Sequence, residues 1–110
     1  MDNIDWGTYL TSFEGRINRA KWWLGVLIIW AVELVAYLAV GDTLFYVIVI
    51  LLLWPWLAIS IKRWHDRGKS GWWMLITLVP LIGSLWFLIE CGFLPGDDGP
   101  NEYGPDPLAA

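Results

Sequence analysis

The stretch of sequence that decides the fold is the apolar run LFYVIVILLLWPWLAISI at residues 44–61, which contains no charged side chain. It is 18 residues long, and a helix needs about 20 residues to cross the hydrocarbon core of a bilayer. A helix satisfies its backbone hydrogen bonds within one segment, which is the condition for entering lipid. The run therefore predicts a transmembrane helix, with Pro55 as a point where that helix bends.

Two further apolar runs lie on either side of the first, at residues 22–40 and 72–94. The earlier run contains one charge, Glu33, and the later run has none until Glu90. Of the 110 residues, 57% are hydrophobic and ten are tryptophan, and the mean hydropathy is +0.52. This composition excludes a soluble monomer and suits membrane interfaces, where indole rings collect. The sequence therefore predicts an all-α integral membrane bundle of three transmembrane helices, forming a single membrane domain over residues 1–110.

The basic residues predict how the chain is oriented in the membrane. All seven lie before the first run or in the link of residues 62–69: Arg16, Arg19, Lys21, Lys62, Arg63, Arg67 and Lys69. Because basic residues are retained on the cytoplasmic side, the N-terminus and this link are expected in the cytoplasm. Three spans then place the acidic tail, residues 95–110, outside. A re-entrant hairpin bent at Pro80 and Gly83 would instead return the tail to the cytoplasm.

Residues 1–21 are predicted to form an interfacial segment. Trp6, Leu10, Phe13 and Ile17 recur at helical spacing with charged residues on the other side, which is typical of an amphipathic helix on the membrane surface. Gly15 favours a short or broken helix, because glycine is a poor helix former. The start MDN lacks the basic residues of a cleavable signal, so the first run is expected to be retained. The tail is rich in glycine and proline and is predicted to be irregular.

Three motifs accompany the apolar runs. They are FEGR at residues 13–16 followed by Arg19 and the tryptophan pair at 22–23, RWHDRGKSGWW at 63–73, and a tail pattern from Gly96 to Pro107 that includes Asn101 and the run YGPDP at 103–107. Together they resemble the domain of unknown function 805 family of small bacterial inner-membrane proteins, over about residues 13–107. The resemblance implies a helical inner-membrane protein and carries no biochemical activity with it.

The His65-Asp66 pair is the strongest candidate for chemistry. An imidazole oriented by a carboxylate can act as a general base, but no nucleophile accompanies the pair. Asp66 and Ser70 are instead expected to cap a helix that opens near Trp72. One histidine and one cysteine, Cys91, leave no set of metal ligands, and the tail lacks the glycine that an EF-hand loop requires. The sequence predicts no catalytic residue, no cofactor, no metal and no enzymatic activity.

The basic link and its tryptophans are candidates for binding anionic lipid headgroups, since juxtamembrane lysine and arginine are attracted to anionic surfaces. The alternative is that these residues only fix the orientation of the protein in the membrane. Arg16 and Arg19 are expected to lie on the same side and to enlarge the patch. The candidate lipid or partner contacts are Arg16, Arg19, Glu33, Arg63, His65, Asp66, Arg67, Lys69, Trp72, Trp73 and Ser84.

Glu33 is the charged residue inside the first predicted span. It lies 11 residues into that run, which corresponds to a depth of about 16 Å at a rise of about 1.5 Å per residue. A carboxylate near the bilayer centre is costly, so Glu33 is expected to be protonated, hydrogen-bonded or turned toward protein. Ser84 reaches a matching depth in a third spanning helix and is the preferred partner. Tyr37 and a residue of another subunit are the alternatives.

The leading functional hypothesis is an accessory or oligomerising subunit that packs against other membrane proteins, because three spans in so short a chain leave little room for an active site and its supporting shell. The alternatives are a small transporter or pore formed by a homo-oligomer, with Glu33 and Pro55 as its candidates, and binding of anionic lipid at the cytoplasmic face. The expected partners are membrane lipids, other integral membrane proteins or a second copy. The net charge of −4 argues against nucleic acid. The expected location is the bacterial inner membrane, as a multi-pass protein with a cytoplasmic N-terminus.

Overall fold

A computed structural model describes residues 5–108 of the chain. Apart from an isolated β-bridge between Asn101 and Gly104, the regular structure in that range is helical. Residues 1–4 and 109–110 lie outside the described residues. The prediction of an uncleaved start, and the ends of the predicted interfacial segment and tail, fall on them. The elements in chain order are α1 (Trp6–Thr11), α2 (Arg19–Ala39), α3 (Asp42–Asp66), a 3₁₀ helix (Gly71–Leu78), α4 (Ile82–Leu88) and a π-helical turn that continues α4 (Ile89–Phe93). The predicted all-α class is confirmed.

Two helices, α2 and α3, are long and apolar enough to cross a membrane. They contain 21 and 25 residues and are therefore about 31 and 37 Å long, against about 30 Å for the hydrocarbon core. The Asn18 side chain caps α2 by accepting a hydrogen bond from the Lys21 N–H. The first two predicted runs are thus confirmed as long apolar helices.

The helix α3 continues past residue 61 to Asp66, so His65 and Asp66 lie on a helix and not in the predicted loop. It ends where Gly68 adopts a φ of +79°, a conformation that glycine tolerates and other residues rarely adopt. The Gly68 N–H donates to the His65 carbonyl and the Lys69 N–H to the Trp64 carbonyl, both at 2.9 Å. This is the Schellman pattern, which satisfies the last carbonyls of the helix.

The third predicted span, residues 72–94, is not a continuous helix. Its first arm is the eight-residue 3₁₀ helix, about 16 Å long at about 2.0 Å per residue. The second arm, α4 with its π-helical turn, is about 18 Å long, so neither arm alone crosses a core of about 30 Å. The chain reverses between them at Pro80 and Leu81, where Leu81 has a φ of +64°.

The two arms form a hairpin whose ends lie together. Trp73 of the first arm stacks on Trp86 of the second with ring centroids 6.2 Å apart. The Arg63 Nε, near the end of α3, donates to the Cys91 carbonyl at 2.8 Å, so the second arm returns to the level at which the first arm began. Proline donates no backbone hydrogen bond and disfavours helical angles in the residue before it, and Val79 before Pro80 is extended. The described structure is therefore two long helices and a short hairpin, in place of three spanning helices.

The packed core lies between the beginning of α2, the end of α3 and the second arm of the hairpin. Its largest buried side chains from these elements include Trp22, Ile59 and Trp64. Trp22 packs edge-on against Phe87 with centroids 5.6 Å apart, and its indole donates to the Ser60 hydroxyl at 3.3 Å. The opposite ends of α2 and α3 contribute little to this core and expose large apolar side chains.

The interfacial segment contains a shorter helix than its hydrophobic spacing predicts. α1 ends at Thr11, because Ser12 has extended backbone angles and Gly15 a φ of +94°. Tyr9, which was not part of the predicted apolar face, is buried together with Ile17, whereas Trp6 is half exposed. The expectation of a short helix is confirmed, and its continuation to residue 17 is wrong.

The hairpin generates a topological prediction. Single cysteines at Ser70 and at Asp98 in the tail should react with a membrane-impermeant thiol reagent from the same side, and a cysteine at Thr43 from the opposite side. The reason is that both arms of the hairpin are too short to carry the tail across the bilayer. The fully buried Cys91 makes the unsubstituted protein a suitable background control. Labelling of Ser70 and Asp98 from opposite sides would show that the 71–93 segment crosses the membrane.

Candidate functional site

Six charged side chains from four parts of the chain meet where α3 ends. We refer to them as the polar cluster: Arg16, Arg63, Asp66, Arg67, Lys69 and Glu90. Arg16 comes from the loop after α1, Arg63 and Asp66 from the last turns of α3, and Glu90 from the π-helical turn. Residues 67–69 form the turn that ends α3, which we refer to as the Schellman turn. This turn places Arg67 and Lys69 beside them.

Asp66 is at the centre of the polar cluster. Its Oδ1 accepts a hydrogen bond from the Arg16 Nε at 3.0 Å, and its Oδ2 accepts one from the Arg63 Nη1 at 2.5 Å. The exposed fractions of the three side chains are 4% for Asp66, 1% for Arg16 and 0% for Arg63. A buried charge must be paired and hydrogen-bonded to be tolerated, and here one carboxylate pairs with two guanidinium groups.

The two arginines use their remaining donors on backbone carbonyls. Arg63 binds the Cys91 carbonyl through Nε and the Leu94 carbonyl through Nη2. Arg16 binds the Asp97 and Gly99 carbonyls, both at 2.7 Å, and the Gly104 carbonyl at 3.2 Å. The planar guanidinium presents its donors in a fixed fork, which suits several acceptors at once. Arg16 therefore binds the tail and Arg63 binds the end of the hairpin, and both arginines join these parts of the chain to α3.

Glu90 forms a second ionic group in the polar cluster. Its carboxylate accepts hydrogen bonds from the Arg67 Nε at 3.0 Å, from the Lys69 ammonium and from the Trp86 indole at 3.2 Å. The Lys69 ammonium also lies 4.7 Å from the centroid of the Trp73 ring, a cation–π contact. These contacts fix the Schellman turn against both arms of the hairpin.

The pairing changes what the basic residues are able to bind. Arg16 and Arg63 are interior, and Arg67 and Lys69 share Glu90, so a lipid headgroup would have to compete with an existing carboxylate at each of them. The exposed positive charge that anionic-lipid contacts require is therefore largely absent from these four residues. Arg19 is exposed and donates to the Phe93 carbonyl at 2.6 Å.

His65 is engaged in structural contacts and is not paired with Asp66. Its Nδ1 lies 2.9 Å from the Gly15 carbonyl oxygen, and its ring stacks on Tyr103 with centroids 4.0 Å apart. Because Asp66 is bound to two arginines, it does not orient the imidazole. The arrangement at His65 holds the loop after α1 and the tail against α3.

The helix after the basic link is capped by one of the two predicted residues. The Ser70 hydroxyl accepts a hydrogen bond from the Trp72 N–H at 3.3 Å, as predicted. Asp66 does not contribute, because both of its oxygens are bound to arginine. Trp72 is exposed, and Trp73 stacks on Trp64 with centroids 5.8 Å apart.

The predicted pairing of Glu33 with Ser84 is wrong. Ser84 lies near the tip of the hairpin on an exposed position of α4, and within residues 5–108 no hydrogen bond joins it or Tyr37 to Glu33. The depth argument assumed a third spanning helix, and the reversal at Pro80 removes that assumption. Glu33 instead lines a cavity of about 210 Å³ between α2 and α3, far along α2 from the polar cluster.

Comparison with known proteins identifies the relatives of the chain. A family model described as a protein of unknown function (DUF805) matches residues 10–105. The chain belongs to this family. The uncharacterized protein YiiR of Escherichia coli strain K12 is 32% identical, with the match covering 89% of the chain and 87% of YiiR. The inner membrane proteins YhaH and YhaI of that strain are 34% and 38% identical over 87% of the chain, and over 87% and 86% of their own lengths. No solved structure matches the chain.

The three motifs that resemble the DUF805 family meet at the polar cluster. Arg16 comes from the first motif and Arg63 and Asp66 from the second, and the tail motif supplies the Gly99 and Gly104 carbonyls that Arg16 binds. The packing of three distant segments into one closed structure thus explains the charged residues and glycines of the three motifs.

Several residues of the site were not predicted. Glu90 was noted only as a charge near the end of the third apolar run, Asn101 only as a member of the tail motif, and Asp97 only as part of the acidic tail. In the structure the Asn101 amide donates to the His65 carbonyl at 2.9 Å and to the Asp97 Oδ2 at 3.0 Å. The tail motif was the available signal, because glycines and an asparagine in an irregular segment indicate turns held by specific backbone contacts.

Removing the charge of Asp66 should destabilise the fold. Asp66→Asn leaves two buried guanidinium groups without their carboxylate, and breaking a buried ion pair in this way costs about 3–5 kcal/mol. The measurement is the free energy of unfolding in mixed micelles, followed by tryptophan fluorescence. The matched control is Asp98→Asn, an exposed tail residue that should have little effect. Equal stability of the two variants would contradict the central position assigned to Asp66.

A methyl group at Gly96 should have a similar but smaller effect. A Cβ at this position would overlap the Asp66 carboxylate and carbonyl, and overpacking of this kind costs about 1–3 kcal/mol. Gly96→Ala is expected to lower the free energy of unfolding in the same assay. Gly7→Ala is the control, since its Cβ would make ordinary contact at 3.5 Å. A Gly96→Ala variant as stable as the wild type would mean that the tail does not pack closely on α3.

Proposed function

We propose that this DUF805 protein is an accessory subunit of the inner membrane, whose α2 and α3 bind a helix of another membrane protein or of a second copy at the groove that contains Glu33. The relatives named inner membrane proteins and the two apolar helices support the membrane setting. The basic residues support an orientation with the N-terminus, the Schellman turn and the tail in the cytoplasm, since all seven lie near the end of the molecule where α2 begins and α3 ends.

Glu33 is the observation that carries the proposal. Its carboxyl lines the cavity together with Trp30 and Trp56 and with aliphatic side chains of both helices. Within residues 5–108, no side chain or backbone group forms a hydrogen bond with this carboxyl. The two neighbouring indole N–H groups are likewise without an acceptor in the described chain.

A carboxyl group without a partner is costly in hydrocarbon, so ionisable residues inside spans face protein or water and rarely lipid. Polar side chains between membrane helices contribute about 0.6–2 kcal/mol when they find a partner. The groove offers one acceptor and two donors to an incoming helix. A partner helix with a serine, threonine, asparagine or glutamine at this depth would satisfy them, which is the chemistry expected of a contact between subunits.

A catalytic role is not part of the proposal. His65 contacts the Gly15 carbonyl and Tyr103, and Asp66 is bound to two arginines, so the residues with the strongest sequence signal for acid–base chemistry are used to hold the fold together. We accordingly propose that the protein acts by binding and not by catalysis.

The test compares variants of Glu33 for complex formation in native membranes. Glu33→Gln keeps the hydrogen-bonding capacity, and Glu33→Leu removes it. Purification in a mild detergent, with mass spectrometry of co-purified proteins and native gels for homo-oligomers, should show a complex with wild type and Gln and its loss with Leu. Asp42→Asn, which removes an exposed carboxylate at the start of α3, is the matched control and should retain the complex.

Two results would overturn the proposal. Retention of the same complex by Glu33→Leu would show that the groove is not the contact. The other result is a Glu33→Gln variant that keeps the complex but no longer supports the function of the protein in the cell. This result would favour proton-coupled transport, because Gln removes only the titratable proton.

A further inference from the structure

A second cavity lies at the other end of the molecule from Glu33. It measures about 360 Å³ and is bounded by α1, the loop after it, the beginning of α2, the end of α3 and tail residues 105–107. We refer to it as the charged cleft. Its lining contains both basic and acidic side chains: Arg16, Lys21, Lys62, Asp5, Glu14 and Asp106.

The two lysines of the charged cleft have no carboxylate partner among residues 5–108. Lys62 is buried, with 3% of its surface exposed, and its ammonium donates to the Thr8 carbonyl at 2.8 Å and the Tyr9 carbonyl at 2.6 Å. An ammonium has three donors, so one remains for a ligand. The Lys21 ammonium makes no hydrogen bond within the described chain. Arg16, by contrast, is satisfied by Asp66 and the tail carbonyls.

The carboxylates of the charged cleft also lack a cationic partner in the described chain. Asp106 accepts hydrogen bonds from the Leu108 and Gly99 N–H groups, both at 2.9 Å. These bonds hold the pKa of the Asp106 carboxyl below its usual range, so it is ionised at neutral pH. Asp5 caps α1, and Glu14 is exposed at the rim.

The wall of the charged cleft is held in place by Tyr9. This side chain is buried, and its hydroxyl donates to the Lys21 carbonyl. Burial raises the pKa of Tyr9 to about 12, so the donor keeps its proton. α1 is thereby fixed to the start of α2, and a site formed before the ligand arrives loses less entropy on binding.

Within residues 5–108, two cations and three carboxylates line one cleft without pairing with each other. This arrangement favours a ligand that carries both signs of charge over a purely anionic one. The cleft lies beside the first residues of α2 and the last turns of α3, which is the level of lipid headgroups for helices of this length. We propose that the charged cleft binds a phosphate diester bearing a primary ammonium, as in the headgroup of an aminophospholipid, with Lys21 and Lys62 toward the phosphate and the carboxylates toward the ammonium.

The chemistry can be tested with vesicles of defined composition. The purified full-length protein is exchanged into vesicles containing equal amounts of phosphatidylethanolamine, phosphatidylcholine and phosphatidylglycerol, extracted in mild detergent, and analysed for retained lipid by native mass spectrometry. Phosphatidylethanolamine should be retained about tenfold over phosphatidylcholine, the ratio expected for one charge-assisted hydrogen bond that a trimethylated ammonium cannot donate. Equal or greater retention of phosphatidylglycerol would overturn the proposal, because that lipid has no ammonium.

Two variants with matched controls locate the binding in the charged cleft. Lys21→Gln should reduce the retained phosphatidylethanolamine about tenfold, whereas Arg19→Gln, the same loss of charge outside the cleft, should not. Glu14→Gln should narrow the preference over phosphatidylcholine, whereas Asp98→Asn should not. These four positions avoid the buried polar cluster, and the unfolding assay described above would check that each variant is folded. Equal retention by each variant and its control would overturn the proposal.

A soluble competitor distinguishes the source of the ligand. Glycerophosphoethanolamine carries the same charged groups without acyl chains. Its displacement of bound lipid at millimolar concentration would assign the charged cleft to a free zwitterionic phosphate, and displacement only by vesicles would assign it to membrane lipid. Both results support the proposed chemistry. The Glu33→Leu variant should keep the lipid preference in either case, so failure of the subunit proposal and failure of this one are distinguishable.

Discussion

The fold depends on one carboxylate placed between two buried guanidinium groups. Asp66 neutralises Arg16 and Arg63, and without it neither arginine could remain in the interior. Once they are there, their remaining N–H groups bind the carbonyls of a tail and a hairpin end whose irregular backbone has few partners of its own. Among the described residues no buried side-chain nitrogen or oxygen is left without a partner. A segment with no regular structure is thereby joined to a rigid helix, which glycine-rich and proline-rich sequences do not achieve by packing alone.

This ion pairing limits the positive charge that the basic residues expose. Their distribution along the chain is the pattern that orients a membrane protein, yet most of their charge is used inside the molecule by Asp66, Glu90 and backbone carbonyls. Among the described residues three basic side chains have no carboxylate partner: Lys21 and Lys62 lie in the charged cleft, and Arg19 is exposed outside it. Counting basic residues in the sequence therefore overstates the charge available to a lipid surface, because four of the seven are paired with Asp66 or Glu90.

The sequence predicts the two long helices well and the rest of the molecule unevenly. Apolar runs locate α2 and α3, the two helices long and apolar enough to cross a membrane. Hydropathy cannot detect that α3 continues through Lys62, Arg63 and Asp66, because that continuation depends on pairing with distant segments. The 72–94 run satisfies a length rule for spanning and is nevertheless folded into a hairpin, as Pro80 had left open. Five of the six residues of the polar cluster were among the candidate contacts, and Glu90 was not. Their pairing, such as Arg16 with Asp66, could not be predicted, because only the closed tertiary structure brings the distant segments together.

The half of the molecule far from the polar cluster has a mostly apolar surface. Far from the polar cluster, α2 and α3 expose large apolar side chains such as Leu34, Val35 and Leu38. In a bilayer these need no protein partner, because lipid chains cover them as well as another helix would, so their exposure alone does not indicate an interface. A carboxyl group differs, because lipid chains cannot replace the hydrogen bonds that it makes with water. Glu33 is therefore more informative than the whole apolar surface around it, and for this reason the contact that we propose with another membrane helix is centred on that residue.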